Sequence, residues 1–257
     1  MKAYLETTQW TIWETVLVIF AGILGSVVAG AFLLGMGSDE TTALTLGVIF
    51  TGQATGNLLV MWLLSLRRGS GSFKRDFGLT VHLADSWAIV AGMGLQIGVA
   101  LLMAPFVRLF YPDGPPQQEV AEITSDSRSF FDIVIILVVV VVLAPVVEEM
   151  IFRGMLLSRL TRSMSNTWAV VVSAAAFASI HLLDPNAIAA VPGLFIIGLV
   201  LGFQAIRRGN LSLAIFTHAG VNLTAAILLI FGDDIIDWLE EMAENAETVE
   251  GLMSLMF

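Results

Sequence analysis

Long runs of hydrophobic residues alternate with short polar segments along the whole chain. Seven of these runs approach or exceed the roughly 20 residues that a helix needs to cross a bilayer. We therefore predict an all-α, polytopic transmembrane helical bundle of seven spans, or eight if the C-terminal tail adds one. The predicted spans are Trp10–Leu34, Thr41–Leu66, Trp87–Phe110, Phe130–Leu157, Trp168–Leu183, Ala187–Ile206 and Leu211–Phe231.

The composition agrees with a membrane protein. Of the 257 residues, 57% are hydrophobic and only 13% are charged, and the mean hydropathy is +0.87. A soluble domain carries about 25% charged residues. The sequence contains no cysteine, so disulfides, thiolate metal ligands and cysteine nucleophiles are excluded. It also lacks a basic patch that could bind nucleic acid.

Eight of the nine basic residues between the predicted spans fall on one side of the predicted bundle, and Arg128 falls on the other. By the positive-inside rule the side with eight basic residues faces the cytoplasm, which places the N-terminus inside and the C-terminal tail outside an inner (plasma) membrane. A re-entrant piece in the tail would reverse the side of the C-terminus. These eight residues are Arg67, Arg68, Lys74, Arg75, Arg159, Arg162, Arg207 and Arg208.

The net charge of −10 is concentrated in the tail, since the last 25 residues hold eight of the 22 acidic residues and no basic one. Apolar and acidic positions alternate at helical spacing through 233–250, which predicts an amphipathic helix on the membrane surface. We expect a single membrane domain over residues 1–257, with an acidic amphipathic tail at 232–257. The helices of 130–231 carry the polar residues discussed next.

Two carboxylates and an arginine stand at the end of the apolar run Ile133–Val147. Glu149 and Arg153 are four residues apart, the spacing and order that favour an ion pair on a helix. Glu148 lies about 100° around the same helix, which leaves its carboxylate available for general-base chemistry. The alternative is that both acids simply mark the end of a span, and from these residues alone the two interpretations have equal weight.

Three further polar residues lie within or at the ends of later spans. His218 and Asn222 share one face of the seventh predicted span, where they could join helices by hydrogen bonds or stabilise an oxyanion. His181 follows Phe177 by one helical turn; alone, it would be an ordinary histidine at the end of a span. On a straight fifth helix it would lie about 22 Å deep, against about 14 Å for Glu148 and His218.

Other residues are expected to serve packing or solvation. Gln53 and Asn57 of the second span are predicted to hold helices together. The glycines Gly92, Gly94 and Gly98 suit close helix packing. His82 is predicted to be solvated and uninvolved. The protease signatures HExxH and GxSxG are both absent.

Three short motifs on successive apolar helices resemble those of a known family. They are EExxxR followed by glycine (148–154), FxxxH (Phe177–His181) and HxxxN (His218–Asn222). In this order they resemble the motifs of the CAAX protease and bacteriocin-processing (CPBP, or Abi) family of intramembrane endopeptidases, which is related to the CAAX prenyl endopeptidase. The resemblance covers about 130–231.

The resemblance implies roles for these residues. Glu148 and His181 would activate a water molecule, and His218 and Asn222 would stabilise the tetrahedral intermediate. Glu149 and Arg153 would support Glu148 or bind a carboxylate of the substrate. The family is commonly described as one of metalloproteases, and Glu148, His181 and His218 could supply three ligands to one zinc ion. The same residues can also act without a metal.

The sequence therefore predicts an intramembrane endopeptidase whose substrate is a membrane-anchored or lipid-modified protein. A non-catalytic immunity or scaffold protein of the same family is the alternative. A small transporter is a third, weaker possibility, because the repeat symmetry expected between its halves is missing.

Overall fold

The part of the chain that the structure describes contains seven helices that are long and apolar enough to cross a membrane, and no strand occurs there. The structure is a computed structural model that describes residues 10–38, 42–116, 118–126 and 129–256, without the side chains of 119, 233, 236, 237 and 239–256. The all-α transmembrane prediction is confirmed. The helices are α1 (Ile12–Gly35), α2 (Ala43–Arg68), α3 (Ala88–Phe110), α4 (Phe130–Leu160), α5 (Asn166–Ile180), α6 (Val191–Arg208) and α7 (Ser212–Met256).

The helix boundaries follow recognisable capping signals. Thr11 and Glu14 form a capping box at the start of α1, and the left-handed Gly209 ends α6. Short helices that the sequence did not predict lie in the connections, at Phe73–Asp76 and Glu119–Asp126. Three-residue or five-residue 3₁₀ helices cover Leu83–Asp85, His181–Leu183 and Pro185–Ala189.

Helix α7 continues without a break past the predicted span and ends at Met256. The predicted tail is therefore helical along its backbone. Its amphipathic pattern falls on side chains that lie outside the described residues.

Helix α4 lies at the centre of the bundle. It packs against α1, α2, α5, α6 and α7, while α1 packs closely on α2, α3 on α7 and α5 on α6. The segment Met150–Leu157, near the end of α4, is buried along its whole length. Because a charged residue on this segment has no contact with water or lipid headgroups, its charge must be balanced by protein groups.

The loop between α2 and α3 is tied to the bundle at the basic end. The indole of Trp10 donates a hydrogen bond to the Asp76 carbonyl (2.8 Å) and stacks on Phe77 at 5.0 Å between ring centroids. Gly154 of the first motif lies directly against this loop, because an added Cβ there would be 2.5 Å from the carbonyl oxygen of Phe77. This contact explains why the motif position after Arg153 is a glycine.

Asp76 holds the same loop together through its carboxylate. Burial opposes ionisation, but hydrogen bonds from Ser65, Ser70 and Ser72 outweigh it and keep the pKa of Asp76 below its ordinary value. The lowered pKa means that this carboxylate stabilises the fold fully above the ordinary carboxyl pKa. The contribution is lost only as the pH falls through the lowered value.

Glycines set the closest helix contact in the bundle. An added Cβ at Gly92 of α3 would overlap the carbonyl oxygen of Thr217 of α7, and one at Gly220 would overlap that of Ile89. The prediction of close packing is thus confirmed for Gly92. It is wrong for Gly94 and Gly98, which have open space where a Cβ would be, because at about 100° per residue both lie on a different side of α3 from Gly92.

We expect Gly92→Ala to destabilise the protein and Gly94→Ala to leave it unchanged or slightly stabilised. Both changes raise helix propensity by about 1 kcal/mol. Only the first forces α3 away from α7, and overpacking of this kind costs about 1–3 kcal/mol or more. Thermal unfolding in one detergent would compare the two variants. Equal unfolding temperatures would contradict the close contact.

Candidate active site

An irregular helix carries the two glutamates of the first motif. Within α4, the α-helical turns Ala144–Glu149 lie between two π-helical segments, Leu137–Leu143 and Met150–Leu157. Such segments are rare and occur frequently at functional sites. The wider turns shift the helical register before and after the pair, whereas Glu148 and Glu149 themselves lie in a regular α-helical turn, about 100° apart around the axis.

Pro145 explains how Asn222 is held. The N–H of Ala144 bonds to the carbonyl of Val139, five residues back. The next donor in this register would be Pro145, which has no N–H. The carbonyl of Val140 therefore lacks its helical partner, and Asn222 Nδ2 donates to it at 2.8 Å. This hydrogen bond joins α7 to α4 and uses one of the two N–H groups of the Asn222 amide.

Glu149 is the centre of a fully buried charged cluster. Its Oε1 accepts hydrogen bonds from Arg153 Nη1 at 2.9 Å and from His218 Nδ1 at 3.0 Å. The side chains of Glu149 and Arg153 are both 0% exposed. Glu149 Oε2 is buried too, with no hydrogen-bond partner among the described residues. The ion pair predicted from the four-residue spacing is present, and it also fixes the ring of His218 from another helix.

Arg153 connects α4 to two neighbouring helices. Its Nη2 donates to the carbonyl of Gly198 in α6 at 3.1 Å, and its guanidinium lies 4.6 Å from the centre of the Phe177 ring in α5. A cation over an aromatic face gains further stabilisation when it is desolvated. Because the side chain is fully buried, a carboxylate of a substrate cannot reach it in this structure. The arrangement favours the first of the two predicted uses, support of the neighbouring glutamates.

Glu148 is placed very differently from Glu149. A quarter of its side-chain surface is exposed (25%), and its Oε2 lies 3.7 Å from His218 Nε2. This separation is too long for a hydrogen bond. The adjacent carboxylates therefore have separate environments, one neutralised inside the protein and the other open to a cavity beside a histidine.

His181 lies near His218, because the ring of Phe177 contacts both histidines. Its Nδ1 is 2.9 Å from the carbonyl oxygen of Phe177, and since a carbonyl only accepts, Nδ1 carries the proton. In the neutral ring Nε2 is then a proton acceptor. The Phe177 ring makes edge contacts with His181 and with His218, at 5.1 and 5.7 Å between centroids. The two histidines therefore contact the same ring, although a straight fifth helix was expected to place them at different depths in the membrane.

A metal site does not emerge from these residues. Within the described parts of the chain, no group of three His, Asp or Glu side chains is gathered closely enough to hold a metal ion. Glu148 and His218 approach each other, but His181 does not complete a set of three with them. A catalytic zinc ion requires three protein ligands at about 2.0–2.2 Å. The three predicted ligands thus do not fit a zinc site as they are arranged here.

The backbone partners of these side chains were not predicted from the sequence. Pro145 inside an apolar run was a visible signal that a carbonyl one turn back would need another donor. The carbonyl of Gly198 gave no such signal, because its use depends on how α6 crosses α4. His82, predicted to be solvated, is exposed.

The fold and the site define a polytopic membrane protein with buried and half-buried carboxylates beside two histidines. The family model described as Type II CAAX prenyl endopeptidase Rce1-like matches residues 130–224, the segment that holds all three motifs. Over this part of the chain the match agrees with the family resemblance of the three motifs. No curated protein and no solved structure matches the chain.

We expect Arg153→Met to destabilise the protein by about 3–5 kcal/mol, the usual cost of leaving one member of a buried ion pair uncompensated. The double variant Glu149→Gln/Arg153→Met removes both charges and should recover part of that loss. Thermal or denaturant unfolding of the purified protein measures both. A single variant as stable as the wild type would show that the pair is not the buried, charged cluster described above.

Proposed function

We propose that the protein is an intramembrane endopeptidase that hydrolyses membrane-anchored or lipid-modified protein substrates with water activated by Glu148. The observation that carries the proposal is the division between adjacent carboxylates. Glu149 is buried and compensated by Arg153, whereas Glu148 is partly exposed, 3.7 Å from His218. General-base chemistry requires a carboxylate that water can reach, and of the two only Glu148 is exposed.

Glu148 and His181 activate the water molecule. Glu148 takes a proton from the water, whose oxygen then attacks the carbonyl carbon of the scissile peptide bond. Nε2 of His181, an acceptor in the neutral ring, fits a second hydrogen bond from the same water. The C–N bond breaks when the tetrahedral intermediate collapses, and the proton held by Glu148 passes to the leaving amine.

His218 and Asn222 are proposed to stabilise the oxyanion of this intermediate. The hydrogen bond from Nδ1 to Glu149 fixes the ring of His218, and a protonated ring would donate from Nε2 as well. Asn222 has one N–H bound to Val140, so its second N–H is the one that can reach the substrate. Both donors are held in place by groups of α4, Glu149 and the Val140 carbonyl, before a substrate arrives.

The arrangement of ligands leads us to propose that turnover requires no zinc ion. Glu148, His181 and His218 do not form a three-ligand group, and the steps above need only a base and hydrogen-bond donors. The alternative that the family resemblance implies is that these three residues hold one zinc ion.

We further propose that the basic end of the bundle faces the cytoplasmic side of an inner (plasma) membrane. Arg68 ends α2, Arg208 ends α6, and Lys74 lies in the connection after α2, so positive charge collects at this end, as the positive-inside rule expects of the cytoplasmic side. With seven spans, the N-terminus is then cytoplasmic and the acidic tail lies outside. The matching family is described as one of CAAX prenyl endopeptidases, so a prenylated peptide is the first substrate to test.

Glu148→Gln is expected to abolish cleavage of a farnesylated peptide that ends in a CAAX sequence, or of a single-span membrane protein. General-base catalysis contributes roughly 10²–10⁴-fold, so kcat should fall by at least this much. The assay uses protein in lipid nanodiscs and mass spectrometry of the products.

His82→Ala is the matched control, because His82 is exposed and takes no part in the site. It should cleave like the wild type. Undiminished cleavage by Glu148→Gln would exclude the proposed base. Cleavage of none of these substrates by the wild type would favour the non-catalytic alternative.

Treatment with a strong zinc chelator, followed by dialysis, is expected to leave kcat unchanged. The physical reason is that no step of the proposed mechanism passes through a metal. Metal analysis of the same sample by plasma mass spectrometry reports its zinc content. Loss of activity on chelation that added zinc restores would contradict the proposal and favour the three-ligand zinc site.

A further inference from the structure

A cavity of about 690 Å³ lies at the basic end of the bundle, between the end of α2 and the turn from α6 to α7. Its walls include residues of 68–76, 78–80 and 209–210. A volume of this size is within the range of small-molecule sites, about 300–1,000 Å³. Because α2 ends at Arg68 and α6 at Arg208, the cavity lies where two spans end, at the level expected for the headgroups of a membrane.

Three basic side chains line this cavity, against one carboxylate. Lys74 is exposed, and it makes no hydrogen bond or ion pair with any residue that the structure describes. Arg68 is paired with Glu14 of α1, yet 48% of its side chain stays exposed. Arg75 is exposed as well. The ammonium group of Lys74 is therefore the charge most available to an anion in the cavity.

The carboxylate, Asp76, is already surrounded by its own donors. Its Oδ1 accepts hydrogen bonds from the backbone N–H and the hydroxyl of Ser70, at 2.9 and 2.8 Å. Its Oδ2 accepts from the hydroxyl of Ser65 and from the N–H of Ser72. Asp76 is only 5% exposed. Because these donors compensate its charge, Asp76 opposes an anion in the cavity less than an exposed carboxylate would.

Two neutral donors face the basic residues across the cavity. Asn210 Oδ1 accepts from the N–H of Ser212 at 3.0 Å, so the NH₂ group of Asn210 is left to donate elsewhere. The hydroxyl of Thr80 makes no hydrogen bond within the described part of the chain. The N–H of Leu211 donates to the carbonyl of Gly78 at 3.1 Å, which ties the two donor segments together. An ammonium group with neutral donors suits the oxygens of a phosphate group.

Large apolar side chains are exposed beside the cavity. Leu66 of the last turn of α2 is 55% exposed, and Val81, next to Thr80, is 53% exposed. Leu83 and Trp87 follow in the same connection, 81% and 62% exposed. Exposed apolar side chains grouped in this way mark a contact with lipid or with a partner, and tryptophan is enriched at membrane interfaces. A phosphate ion from solution has no use for such neighbours, whereas the acyl chains of a phospholipid contact them.

We propose that this cavity binds the phosphate headgroup of an anionic phospholipid, with Lys74 as its ionic contact and Thr80 and Asn210 as its hydrogen-bond donors. Basic pockets between spans on the cytoplasmic side are typical sites for such headgroups. Free phosphate shares the polar chemistry of this ligand but lacks its acyl chains. The proposal does not rest on the peptidase function, because none of these three residues belongs to the candidate active site.

Native mass spectrometry of the whole protein in detergent resolves single bound lipids and gives an apparent Kd for the first one. The probes are phosphatidylglycerol and phosphatidylcholine with the same acyl chains, and inorganic phosphate is added as a competitor. We expect the wild type to bind phosphatidylglycerol more tightly than phosphatidylcholine. Lys74→Gln should weaken phosphatidylglycerol roughly fivefold, the usual effect of one basic residue on an anionic lipid, and leave phosphatidylcholine unchanged. Lys74→Glu should weaken it further.

Arg207→Gln is the matched control. It removes one positive charge from the same end of the bundle, but Arg207 lines a different cavity, together with Phe203 and Gln204. This variant should keep the wild-type Kd for phosphatidylglycerol. Lys74 is exposed, so its variants are expected to fold, and equal unfolding temperatures in lipid-free detergent would verify this.

Each of the other results would overturn a defined part of the proposal. Equal Kd values of the wild type for the two lipids would overturn the anion site. Equal weakening by Lys74→Gln and Arg207→Gln would overturn the cavity as its location, because any positive charge at this end would then suffice. Displacement of phosphatidylglycerol by inorganic phosphate at similar concentration would overturn the lipid in favour of free phosphate.

Discussion

The buried ion pair between Glu149 and Arg153 is the interaction on which the rest of the structure depends. Neither side chain has any exposed surface, and breaking such a pair leaves a charge that nothing else in an apolar bundle can neutralise. The same two groups bind His218 from α7, the Gly198 carbonyl of α6 and the Phe177 ring of α5. One ion pair thus fixes three helices around α4.

This cluster also determines which carboxylate can react. Glu149 is committed to Arg153 and His218, so the chemistry falls to the neighbouring Glu148, which borders open space. The two side chains are about 100° apart on the α-helical segment that carries them, so they face different surroundings. Pro145 frees a backbone carbonyl in the same region, and Asn222 binds it. The irregular parts of α4 are therefore what connects the motif residues of different helices.

The sequence predicted the fold well because membrane spans are set by length and hydropathy, which are local properties. The four-residue spacing likewise predicted the Glu149–Arg153 pair. The contact between His218 and Glu149 could not be predicted, since the two residues are 69 positions apart and meet only through the packing of α7 on α4. Gly92, Gly94 and Gly98 illustrate the same limit, because spacing alone cannot say which glycine meets the neighbouring helix.

The most direct test of the account compares Glu148→Gln and Glu149→Gln, identical changes at adjacent positions. Turnover of the farnesylated peptide and the unfolding temperature would be measured on the same nanodisc or detergent samples. We expect Glu148→Gln to lose turnover while it keeps the wild-type unfolding temperature, and Glu149→Gln to lower the unfolding temperature clearly. Equal effects of the two variants on both quantities would contradict the division between a reactive and a structural carboxylate.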